Sequence, residues 1–249
     1  MISKRFNILA RKNEILRITI DQYIKNVTPV SSALIARECP LDLSSATVRN
    51  ILAELEEEGY LTHPHTSAGR VPTQSGYRFY VDNFINEIQL LESEKKRIKD
   101  EYERETLEME SLLEKTSRVL SDMTHYTSIV SVDGWDHKLF CGGTNFVTGY
   151  LDYQDVKMDI KRIKNILAAL DEKERLLEVI NRDLVKKIDI FIGREMECSD
   201  IDDCSLVVSR FKFHQGPSGR IAVLGPTRMD YNKVVSALDY FSNLIGELL

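Results

Sequence analysis

Apolar residues recur at helical spacing from the start of the chain. Leu16, Ile20, Tyr23 and Val27 fall at steps of four, three and four and form one stripe of a helix over 7–27. Thr28-Pro29-Val30 breaks the pattern, and Ser31 or Ser32 caps a short second helix that runs through Glu38 with Leu34 and Ile35 inward. Pro40 ends that helix, because proline donates no amide hydrogen and restricts the residue before it. Ser44 then caps a third helix over about 45–58, stopped by Gly59, with Val48, Ile51, Leu52 and Leu55 at i, i+3, i+4 and i+7 as its buried stripe. Residues 60–73, with Pro64, Gly69 and Pro72, predict a two-stranded hairpin with a long tip. Thr73 or Ser75 restarts a helix carrying Tyr77, Tyr80, Val81 and Phe84.

Residues 83–122 contain neither Gly nor Pro and predict one long helix. Phe84, Ile88, Leu91, Ile98, Tyr102, Met109, Leu112 and Val119 lie on a track of alternating four- and three-residue steps, interrupted at Lys95 and Glu105. That track suits a coiled-coil seam or a helix laid on its own domain, and the spacing does not choose between them. Beyond residue 125 the period changes. Tyr126–Val132 and Ile188–Ile192 predict strands, 155–170 and 172–187 predict helices, and Ser205–Phe213 with Arg220–Leu224 predict a hairpin across Gly216-Pro217-Ser218-Gly219. A short segment holding Trp135 lies between the turns at Asp133-Gly134 and Gly142-Gly143, and Thr227 starts a closing helix to Leu249. Strands and helices mix without a regular βαβ repeat, so the class is α+β.

Composition adds limits. A 249-residue chain with 43% hydrophobic and 29% charged residues is an ordinary globular protein, neither disordered nor fibrous. No run of eighteen apolar residues predicts a membrane span, and the start lacks the apolar core of a secretory signal. Cys39, Cys141, Cys198 and Cys204 form no Cys-x-x-Cys pair, which predicts buried reduced thiols in a cytoplasmic protein. The net charge of −6 speaks against nucleic acid, but it is unevenly spread: residues 1–80 hold ten Lys/Arg against eight Asp/Glu, and residues 81–249 hold 23 against 31. No P-loop, Gly-x-Ser-x-Gly, His-Glu-x-x-His or Gly-x-Gly-x-x-Gly motif points to an enzyme.

Three helices with a short second member and a hairpin behind them are the parts of a winged helix-turn-helix, which lays its last helix in the major groove of DNA. The third helix suits that task by its start. Glu54, Glu56, Glu57 and Glu58 crowd its final turns, where phosphates would be repelled, while its first turns carry no acid. Free amides and the positive end of the helix dipole favour phosphate there. Arg49 is of the type that grips guanine O6 and N7, Asn50 of the type that pairs with adenine, and Ser44, Ser45 and Thr47 flank them. A solvated surface helix would show the same polar face. The hairpin tip, with His65, Thr66, Ser67 and Arg70 and no acid, suits phosphate or minor-groove contact. His63 and His65 also raise a metal, but no carboxylate or cysteine lies near them in sequence, so neither a metal nor a cofactor is expected.

Leu43-Ser44-Ser45-Ala46-Thr47-Val48-Arg49-Asn50 and Leu55-Glu56-Glu57-Glu58-Gly59-Tyr60-Leu61 resemble the HrcA family of heat-inducible transcription repressors. So do the run from Pro64 to Thr73, its continuation from Gly76 to Asp82, the pairs around Ile192-Gly193 and Asp203-Cys204-Ser205, and Gly225-Pro226-Thr227-Arg228-Met229-Asp230-Tyr231. The resemblance implies a winged-helix domain, a GAF-like domain and a homodimer bound to a CIRCE-type inverted repeat of double-stranded DNA ahead of chaperone operons. A GroEL-type chaperonin assists family members. It also implies operator contact by Ser44, Ser45, Thr47, Arg49 and Asn50 in the helix and by His65, Thr66, Ser67 and Arg70 in the wing. Fewer than twenty residues separate Tyr126 from Gly143-Thr144-Asn145, where relatives carry more, so the second domain is expected to be reduced.

The expected organisation is a winged-helix domain over 1–82, a helical linker over 83–122 available for dimerisation, and a reduced GAF-like α+β domain over 123–249. A winged-helix regulator that answers to a small molecule is the alternative. The motif Arg228-Met229-Asp230-Tyr231 invites a ligand there, or else marks a helix start in which Thr227 caps and Met229 and Tyr231 pack.

Overall fold

The structure is a computed structural model, and it describes residues 2–41, 43–64, 69–85, 90–103, 109–135, 138–150, 156–171, 173–214 and 216–248. The chain divides into two compact units, Met1–Ile85 and Asn86–Leu249.

The first unit opens with helix α1 (Ile2–Asn26), which ends where Val27 takes a left-handed φ of 53°. Helix α2 (Ser32–Glu38) follows, with the Ser31 hydroxyl accepting from the Leu34 amide. Helix α3 (Ser45–Glu57) ends before Gly59, whose φ of 80° reverses the chain at low cost because glycine lacks a Cβ. Strands β1 (Leu61–Thr62) and β2 (Val71–Pro72) pair antiparallel, and an isolated bridge joins Arg70 to Val30. Helix α4 (Gln74–Phe84) is capped by Thr73, which accepts from the Gly76 amide and donates to the Gly59 carbonyl. The core of this unit is Ile15, Leu16, Ile20, Ile35, Val48, Leu52, Leu55, Leu61 and Tyr77.

The single helix expected over 83–122 does not form. Ile85 leaves the helical region with ψ of 113°, and two separate helices follow, α5 (Glu92–Glu103) and α6 (Met109–Thr124). The Tyr102 hydroxyl donates to the Thr116 hydroxyl at 2.7 Å. Fourteen residues of straight helix would hold those positions about 21 Å apart. The two helices therefore fold back on each other, and Ile98, Tyr102, Leu112 and Leu113 are buried inside the second unit. From Ile98 through Leu112 the apolar track is a packing face on the helices' own unit, while Leu91 is exposed, so no continuous coiled-coil seam runs along it.

The second unit is built on a five-stranded antiparallel sheet. Its strands are β3 (Thr127–Val132), β4 (Leu139–Gly142), β5 (Ile188–Ile192), β6 (Cys204–Lys212) and β7 (Ser218–Pro226), in the order β4-β3-β7-β6-β5. The segment after Trp135 is thus a full edge strand. Residues alternate between faces along each strand. Ile129, Leu206, Val208, Ala222 and Leu224 meet helices α7 (Val156–Asp171) and α8 (Lys173–Ile180). The other face, with Val130, Val207, Ile221 and Val223, is covered by α6 and the closing helix α9 (Tyr231–Leu248). Helix α9 starts later than expected: the Asp230 carboxylate, not Thr227, accepts from an early helical amide, that of Lys233. Met229 and Tyr231 are fully buried, as the packing alternative requires. The class is α+β, as expected.

Candidate nucleic-acid interface

The first unit presents the start of α3 to solvent. Val48, Leu52 and Leu55 are buried, while Ser44, Ala46, Thr47, Arg49, Asn50 and Ala53 are exposed and Ser45 is half-buried. The turn is well tied. The Ser44 side chain accepts from the Thr47 amide at 3.1 Å, and the two hydroxyls lie 2.9 Å apart. The Val48 amide donates to the Ser44 carbonyl. Among the described residues these bonds leave the amides of Ser45 and Ala46 without an acceptor. The Ser45 hydroxyl lies 3.3 Å from that of Ser32, which links α3 to α2. Arg49 and Asn50 make no side-chain hydrogen bond or ion pair among the described residues, and both reach into solvent.

The far end of α3 has three acids in its last turn region and a fourth just after, with no base of its own, the wrong sign for the negative pole of a helix dipole. Cations from elsewhere correct this. Lys12 of α1 bridges Glu54 at 3.4 Å and Glu58 at 2.5 Å. Burial pulls the Lys12 ammonium down, but the hydrogen bonds and charges of Glu58 and Glu54 outweigh it, and its pKa stands above the ordinary lysine value. Glu56 accepts from Arg70 at 2.7 Å and is also bonded to Nδ1 of His63.

The hairpin is held from a second side. Arg70 and Val30 exchange both backbone hydrogen bonds at 2.9 Å. Gly69 passes so close that a Cβ there would sit 2.5 Å from the Val30 carbonyl oxygen. Of the wing residues named from sequence, Arg70 lies at the hairpin root with its side chain turned to Glu56, and His65, Thr66 and Ser67 fall outside the described residues. Lys12 has no place in the sequence reading, which gives Glu56 and Ser32 no partner. Their partners lie 42 and 46, 7 and 14, and 13 residues away, and only the fold brings them together.

The fold therefore brings a carboxylate beside His63 although none is near it in sequence. Among the described residues no three His, Cys, Asp or Glu side chains gather as a metal would require. Cys39, Cys198 and Cys204 are buried, but Cys141 is exposed on the edge strand β4, on the same face as its partner Ile129. No helix among the described residues is long and apolar enough to cross a membrane.

Fold and surface together define a two-unit α+β protein that carries a helix-and-hairpin face on its first unit. The profile described as "HrcA protein C terminal domain" matches residues 134–235. Heat-inducible transcription repressor HrcA of Symbiobacterium thermophilum is 26% identical over 337 aligned residues, covering 96% of this chain and 98% of that protein. HrcA of Geobacter sulfurreducens is 27% identical over 337, covering 98% of each. Over nearly its whole length the chain is thus similar to the HrcA heat-inducible transcription repressors. The aligned length exceeds the 249 residues here, so the relatives carry residues that this chain lacks. A crystal structure described as a hypothetical protein at 2.2 Å resolution superposes with a TM-score of 0.71 at 17% identity, covering 96% of both chains, and shares the fold.

Proposed function

We propose that the first unit is a winged helix-turn-helix that reads an operator with the start of α3, and that the second is a reduced GAF-like regulatory and dimerisation unit. The chain acts as a homodimer on a CIRCE-type inverted repeat of double-stranded DNA, in the cytoplasm, and represses chaperone operons with help from a GroEL-type chaperonin. It is not an enzyme. Ser44, Ser45, Thr47, Arg49 and Asn50 enter the major groove, while His65, Thr66 and Ser67 of the wing approach the backbone. The observation that carries this reading is the asymmetry of α3: Arg49 and Asn50 without a side-chain partner among the described residues at one end, and Glu54, Glu56 and Glu58 engaged by cations at the other. The likeness to HrcA repressors supports it, and a two-fold dimer suits an inverted repeat.

A gel-shift titration against a CIRCE-like duplex and a scrambled control tests the proposal. The wild-type chain prefers the inverted repeat. Arg49→Ala loses about 1–3 kcal/mol of that preference and keeps weak, salt-sensitive binding to any duplex. Full discrimination by Arg49→Ala would place the reading surface elsewhere.

A further inference from the structure

Arg70 has the charge and the hairpin position of a phosphate contact, yet its side chain is committed inward. It is 21% exposed, its Nη2 donates to Glu56 Oε2 at 2.7 Å, and its Nε is buried with no acceptor among the described residues. The other oxygen of Glu56 is bonded to Nδ1 of His63, on the opposite strand end of the same hairpin. One carboxylate thus grips both legs of the wing at their root. Glu56 is itself on α3, two turns beyond Asn50, and its side chain is 24% exposed. The backbone of Arg70 is held as well, by the paired 2.9 Å bonds to Val30.

We infer that Glu56 is a positioning residue of the DNA interface: it fixes the wing to the recognition helix through Arg70 and His63, and Arg70 works inside this clamp and not on a phosphate. This rests on the reading of α3 as the recognition helix. Two consequences follow from the charges. The wing's angle to α3 is set before DNA arrives, which favours an operator that matches both elements at once. The clamp also neutralises a guanidinium that, set free, would add a non-specific phosphate contact.

The test uses the full chain in fluorescence-anisotropy titrations against an inverted-repeat operator and a scrambled duplex over a series of salt concentrations. A wild-type chain that does not discriminate contradicts the proposed function itself, before any variant is made. With discrimination established, Glu56→Gln is expected to lower the operator-to-scrambled affinity ratio about ten-fold, the weight of one charge-assisted hydrogen bond. It also steepens the salt dependence on scrambled DNA by about 0.9 in log–log slope, one released guanidinium. A loss of stability alone would not steepen that slope. An unchanged ratio, or a slope that stays level or becomes shallower, overturns the inference. If thermal melting shows Glu56→Gln unfolded at the working temperature, Arg70→Lys is read instead. It keeps the charge but not the guanidinium fork, so the ratio is expected to fall similarly; a full wild-type ratio there overturns the inference.

Discussion

Replacing Gly69 with alanine tests how the hairpin is anchored. The obstacle is space. The new Cβ would lie 2.5 Å from the Val30 oxygen, 2.6 Å from its carbonyl carbon and 2.7 Å from the carbonyl carbon of Pro29. All three are backbone atoms, two of them of Val30, the residue that holds Arg70 by two 2.9 Å hydrogen bonds. Relief therefore requires the strand to lift off Val30. Two backbone bonds at about 1 kcal/mol each make the loss about 2 kcal/mol, or about 30-fold in the local opening constant. Residue-resolved hydrogen exchange on the full chain reads this at the Val30 and Arg70 amides. Gly59→Ala is the control. There φ is 80° and nothing lies within 4 Å of the new Cβ, so the cost is backbone strain of about 1 kcal/mol without displacement of the hairpin. Protection at Val30 and Arg70 within about two-fold of wild type in Gly69→Ala would refute the packing argument, since two lost bonds require about 30-fold.

Ser44→Ala removes the cap of α3 and is expected to cost about 1 kcal/mol, seen as a lower unfolding midpoint of the first unit in urea. Lys12→Met leaves Glu54 and Glu58 without their cation and weakens binding to scrambled and operator DNA alike, a uniform shift in gel-shift titrations and not a change of preference. Burial pushes the Tyr102 phenol well above its ordinary value of 10.0, against a smaller opposing effect of its bond to Thr116. The folded state thus keeps that proton to higher pH than the unfolded chain, and stability falls as pH rises past about 10. Tyr102→Phe should cost about 1 kcal/mol at neutral pH, because Thr116 still donates to the Leu112 carbonyl, while flattening the alkaline limb of a denaturation series; an alkaline limb as steep as wild type counts against it.

Local signals carried much of this fold. The stripe of Val48, Leu52 and Leu55, the Ser44 cap and the Gly59 stop are short-range features, and they place the faces of α3 where they are found. Strands β5 to β7 announce themselves through β-branched runs and the Gly216–Gly219 turn. The errors have common causes. The track through Ile98, Tyr102 and Leu112 has the period of any amphipathic helix, so spacing alone does not tell a self-packed pair from one long rod. Charged residues without Gly or Pro gave no sign that Ile85 leaves the helix. The Asp230 start of α9 was displaced to Thr227 because both are good capping residues. In the site, Arg70 reads as a free cation in one dimension. Its partner Glu56 looks like one of four equivalent acids until the hairpin closes on it.

The claim on which the account turns is that the beginning of α3 meets the base pairs while its acidic end stays clear of them. Amide chemical-shift mapping of the full chain on an inverted-repeat duplex measures this directly. Large shifts at Ser45–Asn50, with Glu57 and Glu58 near their free positions, are the predicted result. Shifts centred on Glu54–Glu58, or none in α3 while DNA is bound, would contradict it.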